Sequence, residues 1–153
     1  MTNLNKPLYQ SWFNRMVSGI VSQGGGAGYF DEPTSRLVCQ YRIGEPGDPD
    51  IRKCHIGLFI PDELYRPEME GYGVGNGDIM AAIEKPLLAQ EGLDDYDQYF
   101  LEKAQAAHDR SFIFRDNDYG TSRHWSWLEY RENMQEFGKR FDLDLSALDN
   151  IPV

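Results

Sequence analysis

Apolar side chains recur with helical spacing near the start of the chain: Leu8, Trp12, Phe13, Met16, Val17, Ile20 and Val21 fall on one stripe behind Asn5, Lys6 and Pro7. Proline early in a first turn loses no hydrogen bond, because an N–H there has no partner in any helix. A helix therefore starts near residue 6, and the glycine run at 23–28 ends it. The period then changes to two. Leu37, Cys39 and Tyr41 alternate with Val38, Gln40 and Arg42, which predicts a strand over 35–42 with one apolar face. Two prolines and two glycines make 43–50 a loop, and 51–58 is extended enough to return antiparallel, so a hairpin is the simplest reading.

In the segment 60–71, IPDELYRPEMEG, Asp62 is expected to cap a single turn holding Leu64 and Tyr65 before Pro67 breaks it. The alternating glycines of 71–78 are read as a connector. No strand precedes them, no lysine follows, and Asp78, the expected cap of the next helix, competes with any phosphate for its N–H groups. Helices are predicted from Ile79 to about Leu88 and from Asp94 to Arg110, followed by a polar loop over 115–124. Thr121 or Ser122 is placed to cap a last helix in which Trp127, Tyr130, Met134, Phe137 and Phe141 step by three and four. Leu143, Leu145, Leu148 and Ile151 let the tail dock. With no repeat and no dividing linker, residues 1–153 form one α+β domain, a small antiparallel hairpin or sheet covered by three or four helices.

A chain of 153 residues can bury enough surface to be stable without a disulfide or metal. It has no apolar run near the length of a membrane span, and its N-terminus lacks the basic-then-apolar order of a signal peptide, so a cytoplasmic setting is expected. Cys39 and Cys54 are expected as buried thiols there, although their spacing allows a cross-strand disulfide. The net charge of −10 is uneven: residues 1–60 carry six basic and five acidic side chains, residues 61–153 nine and twenty. That field excludes nucleic acid and anionic membrane as partners and suits a basic protein surface, while an ordinary solvated face also explains it.

The candidate ligand-binding residues are Tyr41, Arg42, Asp62, Tyr65, Glu70, Gln105, His108 and Asp109. Tyr41 and Arg42, being adjacent in a strand, face opposite ways. Gln105 and His108 share a helix face beside Phe100, Ala104 and Ala107, so His108 leans toward the core, where a histidine is commonly a satisfied structural group. Cys54 and His55 would point to opposite sides of a strand, and no C-x-x-C or H-E-x-x-H spacing occurs, which argues against structural zinc. His108-Asp109, with His55 and Asp142, is compatible with a metal-dependent phosphohydrolase of the His-Asp type, but that chemistry uses helical ligands and His55 falls on a predicted strand. Pro61-Asp62 lacks the later Glu-x-Lys or Asp-x-Lys of a restriction-type nuclease. A cysteine nucleophile needs a histidine beside Cys39 or Cys54. No catalytic residue and no cofactor is assigned.

The stretches CQYR (39–42), KCHIGLFIPDELYRPEMEG (53–71), QAAHD (105–109) and Trp127-Leu128 together resemble a family of small proteins of phage and prophage genomes. Its pattern runs C-x-Y-R, K-C-x-I-G-x-x-I-P-D-x-x-Y-x-P-x-x-E-G, Q-x-x-H-D and then a tryptophan. Relative to it, this chain has a longer loop after Arg42 and a longer polar insert at 111–124. The resemblance implies an origin more than an activity, and it makes the expected cytoplasmic setting that of the host. The motif residues can form a structural clasp, in which Glu70 pairs with Arg42 or His108, or the wall of a cleft; both stay open. The function expected is a phage-type accessory binding protein that antagonises a host defence activity, by blocking a host protein or by sequestering a small, nucleotide-like ligand. The alternatives are a small metal-dependent hydrolase using His108 and Asp109, or a virion-associated structural protein. Homo-oligomerisation is left open.

Overall fold

The computed structural model describes residues 6–31, 36–87, 92–117 and 120–152, with backbone alone at 6, 29–31, 36–39, 114–117 and 120–123. Helix α1 spans Lys6–Gln23 and turns Tyr9, Trp12, Phe13, Met16, Val17 and Ile20 inward, each at most 1% exposed. It ends where Gly24 adopts a positive φ of 86°, a conformation that lets the N–H groups of Gly24 and Gly25 both reach the Ile20 carbonyl at 3.1 Å.

The chain then forms strand β1 (Gly28–Asp31), which pairs antiparallel with β2 (Arg36–Cys39) in the register Gly28↔Cys39 to Asp31↔Arg36. The predicted strand over 35–42 thus exists in its first part, but its partner lies before it in the chain. Only β3 (Arg42–Ile43) and β4 (Arg52–Lys53) make the expected hairpin, as a two-residue ladder. Residues 54–58 are not a strand. The Leu58 N–H bonds to the Cys54 carbonyl at 3.0 Å and a 3-10 turn covers Gly57–Phe59. The reason is burial. Cys54, His55, Ile56 and Gly57 are consecutive and all buried, and a strand would turn alternate residues outward.

A second 3-10 turn at Pro67–Met69 leads to α2 (Gly77–Glu84). Its cap is Asn76, whose side chain accepts from the N–H groups of Asp78 and Ile79; Asp78 sits inside the first turn rather than at the cap. The predicted end at Leu88 lies outside the described residues. Helix α3 (Asp95–Asp109) begins with a capping box between Asp94 and Asp97, and buried Asp97 also accepts from the Tyr9 hydroxyl at 2.6 Å.

The segment read as a polar loop is a hairpin. Strands β5 (Phe112–Asn117) and β6 (Gly120–Trp125) pair antiparallel, so Thr121 and Ser122 belong to β6, and Ser126 caps α4 (Trp127–Arg140) by accepting from the Glu129 N–H. Phe112 stands opposite Trp125 at the hairpin's base, with ring centroids 5.1 Å apart. Helices α3 and α4 run antiparallel: the Phe100 ring meets Phe137 and Phe141 at 5.0 and 4.8 Å, while Asn133 reaches the Ala107 carbonyl. Tyr9 of α1 stacks on Phe100 at 4.2 Å and closes the core. The tail docks on α1, with Gln10 bonding the backbone of Asp144 in both directions and Leu143, Leu148 and Ile151 buried. The fold is α+β, with three two-stranded antiparallel ladders among the described residues. No helix among them is long and apolar enough to cross a membrane.

Candidate functional site

The 54–71 knot is folded against residues 41 and 42. Gly57 lies so close beneath Tyr41 that a Cβ there would sit 1.8 Å from the Tyr41 carbonyl oxygen, which explains a glycine in this turn. Tyr41, 7% exposed, donates its hydroxyl to the Tyr72 carbonyl. Its backbone N–H donates to both carboxylate oxygens of Glu70, at 2.8 and 3.2 Å. The neighbouring Arg42 N–H, Tyr65 hydroxyl and Arg42 charge also favour the ionised form of Glu70. Burial nevertheless pushes its carboxyl above the usual range, so desolvation outweighs these donors.

Arg42 is buried and its guanidinium lies over the Tyr65 ring, 4.2 Å from the centroid. One of its terminal nitrogens meets Asp62 at 2.5 Å, and Lys53 approaches the same oxygen at 3.7 Å. Asp62 therefore spends its charge on Arg42 and does not cap the turn, whose bonds run from the N–H groups of Leu64 and Tyr65 to the Pro61 carbonyl. Nε of Arg42 has no hydrogen-bond partner among the described residues. Tyr41, Arg42, Asp62, Tyr65 and Glu70 are thus one cluster of mutually bonded groups. Glu70 holds the backbone N–H of Tyr41, a pairing different from the one expected with the Arg42 or His108 side chain.

Gln105, His108 and Asp109 form a second network on α3. Asp109 accepts from Gln105 at 2.9 Å and from Nδ1 of His108 at 2.8 Å. Nε2 of His108 accepts the Ala27 N–H at 3.2 Å, which places the ring proton on Nδ1. Gly26 makes this approach feasible, since a Cβ there would lie 2.4 Å from that Nε2 and from the Trp125 ring. The two networks meet around Cys54: the Ile56 N–H donates to Gln105 at 3.3 Å, and burial, then the charges of Cys54, Glu70 and Asp109, push the Tyr41 hydroxyl upward. Cys54 is 1% exposed and burial pushes its thiol up to about 12, which removes it as a nucleophile. The side chain of Cys39 lies outside the described residues.

His55 is the residue that strand periodicity misplaced. It is fully buried, donates from Nδ1 to the Ala104 carbonyl at 2.8 Å and accepts at Nε2 from the Tyr130 hydroxyl at 2.7 Å. Its ring stands 5.4 Å from that of His108. All four imidazole nitrogens of this pair are engaged by the chain, and no group of three or more His, Cys, Asp or Glu residues among those described is placed to hold a metal ion. The signal that could have revealed this pair is the consecutive run Cys54 to Gly57, too uniformly core-like for a half-exposed strand.

No protein-family model, curated protein or solved structure matches the chain.

Proposed function

We propose that this protein is a non-catalytic accessory protein of phage type that antagonises a host activity by occupying a protein surface. One observation carries the choice over the hydrolase and over sequestration at the motif: His108, on which both depend, spends both ring nitrogens inside the chain, on Ala27 and Asp109. A ligand or metal there would have to break a buried hydrogen bond first. Around it, Glu70 and Asp62 are likewise occupied by Tyr41 and Arg42, so the motif acts as a clasp.

What remains for recognition is the outer surface. The first half of α3 presents Tyr96 and Tyr99, 40% and 42% exposed, among the exposed carboxylates of Asp94, Asp95 and Glu102. Tyrosine among carboxylates suits a basic partner, since the ring and the anions both attract arginine and lysine. The phage origin rests on the motif resemblance, and host defence is the class of target that such an origin suggests.

Native mass spectrometry of the protein purified from its own cellular setting, before and after denaturation, tests this reading. The expected result is a protein partner at fixed stoichiometry that is lost as salt rises and lost in Tyr96→Ala/Tyr99→Ala. Stoichiometric metal whose removal abolishes a turnover would establish the hydrolase instead.

A further inference from the structure

The charge reverses along α3. Past Glu102 the antiparallel α3/α4 pair borders a solvent-open cleft of about 30 Å³ lined by Lys103, Ala107, Arg110, Asn133, Glu136, Phe137 and Arg140, of which Arg110, Glu136 and Arg140 are exposed. Three cations from two helices converge there in a chain of net charge −10. Among the described residues none of the three has a carboxylate within ion-pair distance, although Glu136 is part of the same lining.

Cations at helix C-termini complement the helix dipole, and this accounts separately for Arg110 at the end of α3 and Arg140 in the last turn of α4. It does not account for Lys103 in mid-helix, nor for the convergence of all three on one space. The space has room for roughly two water molecules, the scale of a small oxyanion. Asn133 is braced by donating its amide to the Ala107 carbonyl and Ser111 hydroxyl, and Ala107 and Phe137 supply an apolar floor. Three cations against one carboxylate leave the lining two positive charges, the complement of a phosphate dianion.

We infer that the α3/α4 cleft binds a phosphate group, held by Lys103, Arg110 and Arg140. The phosphate contacts of Lys103, Arg110 and Arg140 do not rest on the protein-blocking reading; Tyr99 alone is shared with it. The phosphate is either the free ion or the monoester of a nucleoside, whose base would reach toward Tyr99, one helical turn from Lys103, where the Lys103 ammonium already lies 5.4 Å from the ring centroid.

Titration calorimetry of the full chain with inorganic phosphate at constant ionic strength tests it, with chloride as the control. Saturable binding at one site is expected, weakened about tenfold in Arg110→Gln and in Arg140→Gln. Glu136→Gln is expected to tighten it, a gain that a damaged fold cannot imitate. Thermal melts accompany each variant. Absence of saturable binding, equal binding of chloride, or variants indistinguishable from the parent would overturn the assignment. Adenosine monophosphate and adenosine run in parallel identify the source: a nucleotide that binds more tightly than phosphate and weakens in Tyr99→Ala marks an ester, equal affinities mark the free ion, and adenosine binding as tightly as its phosphate ester would refute the phosphate contact.

Discussion

Acid should unfold this protein through His55 well before its carboxylates are exhausted. The ring is fully buried and neutral, with one nitrogen donating to Ala104 and the other accepting from Tyr130, so a second ring proton would place a charge in the core and force the Tyr130 hydroxyl to turn its own proton away. Burial, reinforced by His108, pushes its pKa down from 6.5 to about 3, against a smaller opposing effect of the Ala104 carbonyl. Because the folded value is depressed, the unfolded chain binds this proton first. Stability is therefore whole above about pH 6.5 and is lost progressively as pH falls from there toward 3. At about 1.4 kcal/mol per unit, the full shift corresponds to roughly 4–5 kcal/mol, a large fraction of the ~5–15 kcal/mol that holds a typical domain together. Glu70, whose folded value is raised, works in the opposite sense: its contribution is present below its unfolded pKa and lost as pH rises through the folded one. Urea denaturation of the parent and of His55→Gln at pH steps from about 7 to about 4 separates the two. The parent midpoint should fall steeply through this window while that of the variant stays nearly level. Equal pH slopes in both proteins would refute the argument, because the proton would then be binding elsewhere.

The clasp supplies further expectations. Gly57→Ala should cost about 3 kcal/mol or more in a urea melt, since the added methyl meets backbone at Tyr41 and no rotamer relieves it; a variant as stable as the parent would mean that the turn can shift. Glu70→Ala should cost about 2–4 kcal/mol and speed hydrogen exchange at the Tyr41 amide, with Glu70→Gln milder because it keeps one carbonyl acceptor; unchanged exchange at Tyr41 would contradict the bond. In a Cys39→Ser background, Cys54 should resist a thiol reagent at about pH 8 until the chain unfolds, and rapid stoichiometric labelling of the native protein would contradict its burial.

Helix α1 could be read from the sequence apart from Tyr9, which joins the buried face beside the stripe from Leu8 to Val21, because such a stripe and a terminal glycine are local properties that hold whatever the chain packs against. The cores of α3 and α4 were legible for the same reason, and so was the inward lean of His108. The caps were harder to place. Asn76 displaced Asp78 and Ser126 displaced Thr121 and Ser122, since several adjacent residues can cap equally well until the helix axis is fixed from outside.

Pairing was not legible. Whether β2 finds its partner before or after it depends on which edge is free once α1 has ended, and the hairpin at 112–125 is held by cross-strand bonds that leave no apolar alternation in its polar stretch. The candidate site shows the same division. The residue types of the motif announced a dense set of donors and acceptors, and Gly57 announced a close approach. Only the tertiary structure decided who bonds whom: Glu70 with the Tyr41 N–H, Asp62 with Arg42, and His108 with Ala27 and Asp109. Helical periodicity is written in neighbours three and four apart, whereas hydrogen bonds between residues 20 to 81 positions apart depend on packing that no short stretch of chain contains.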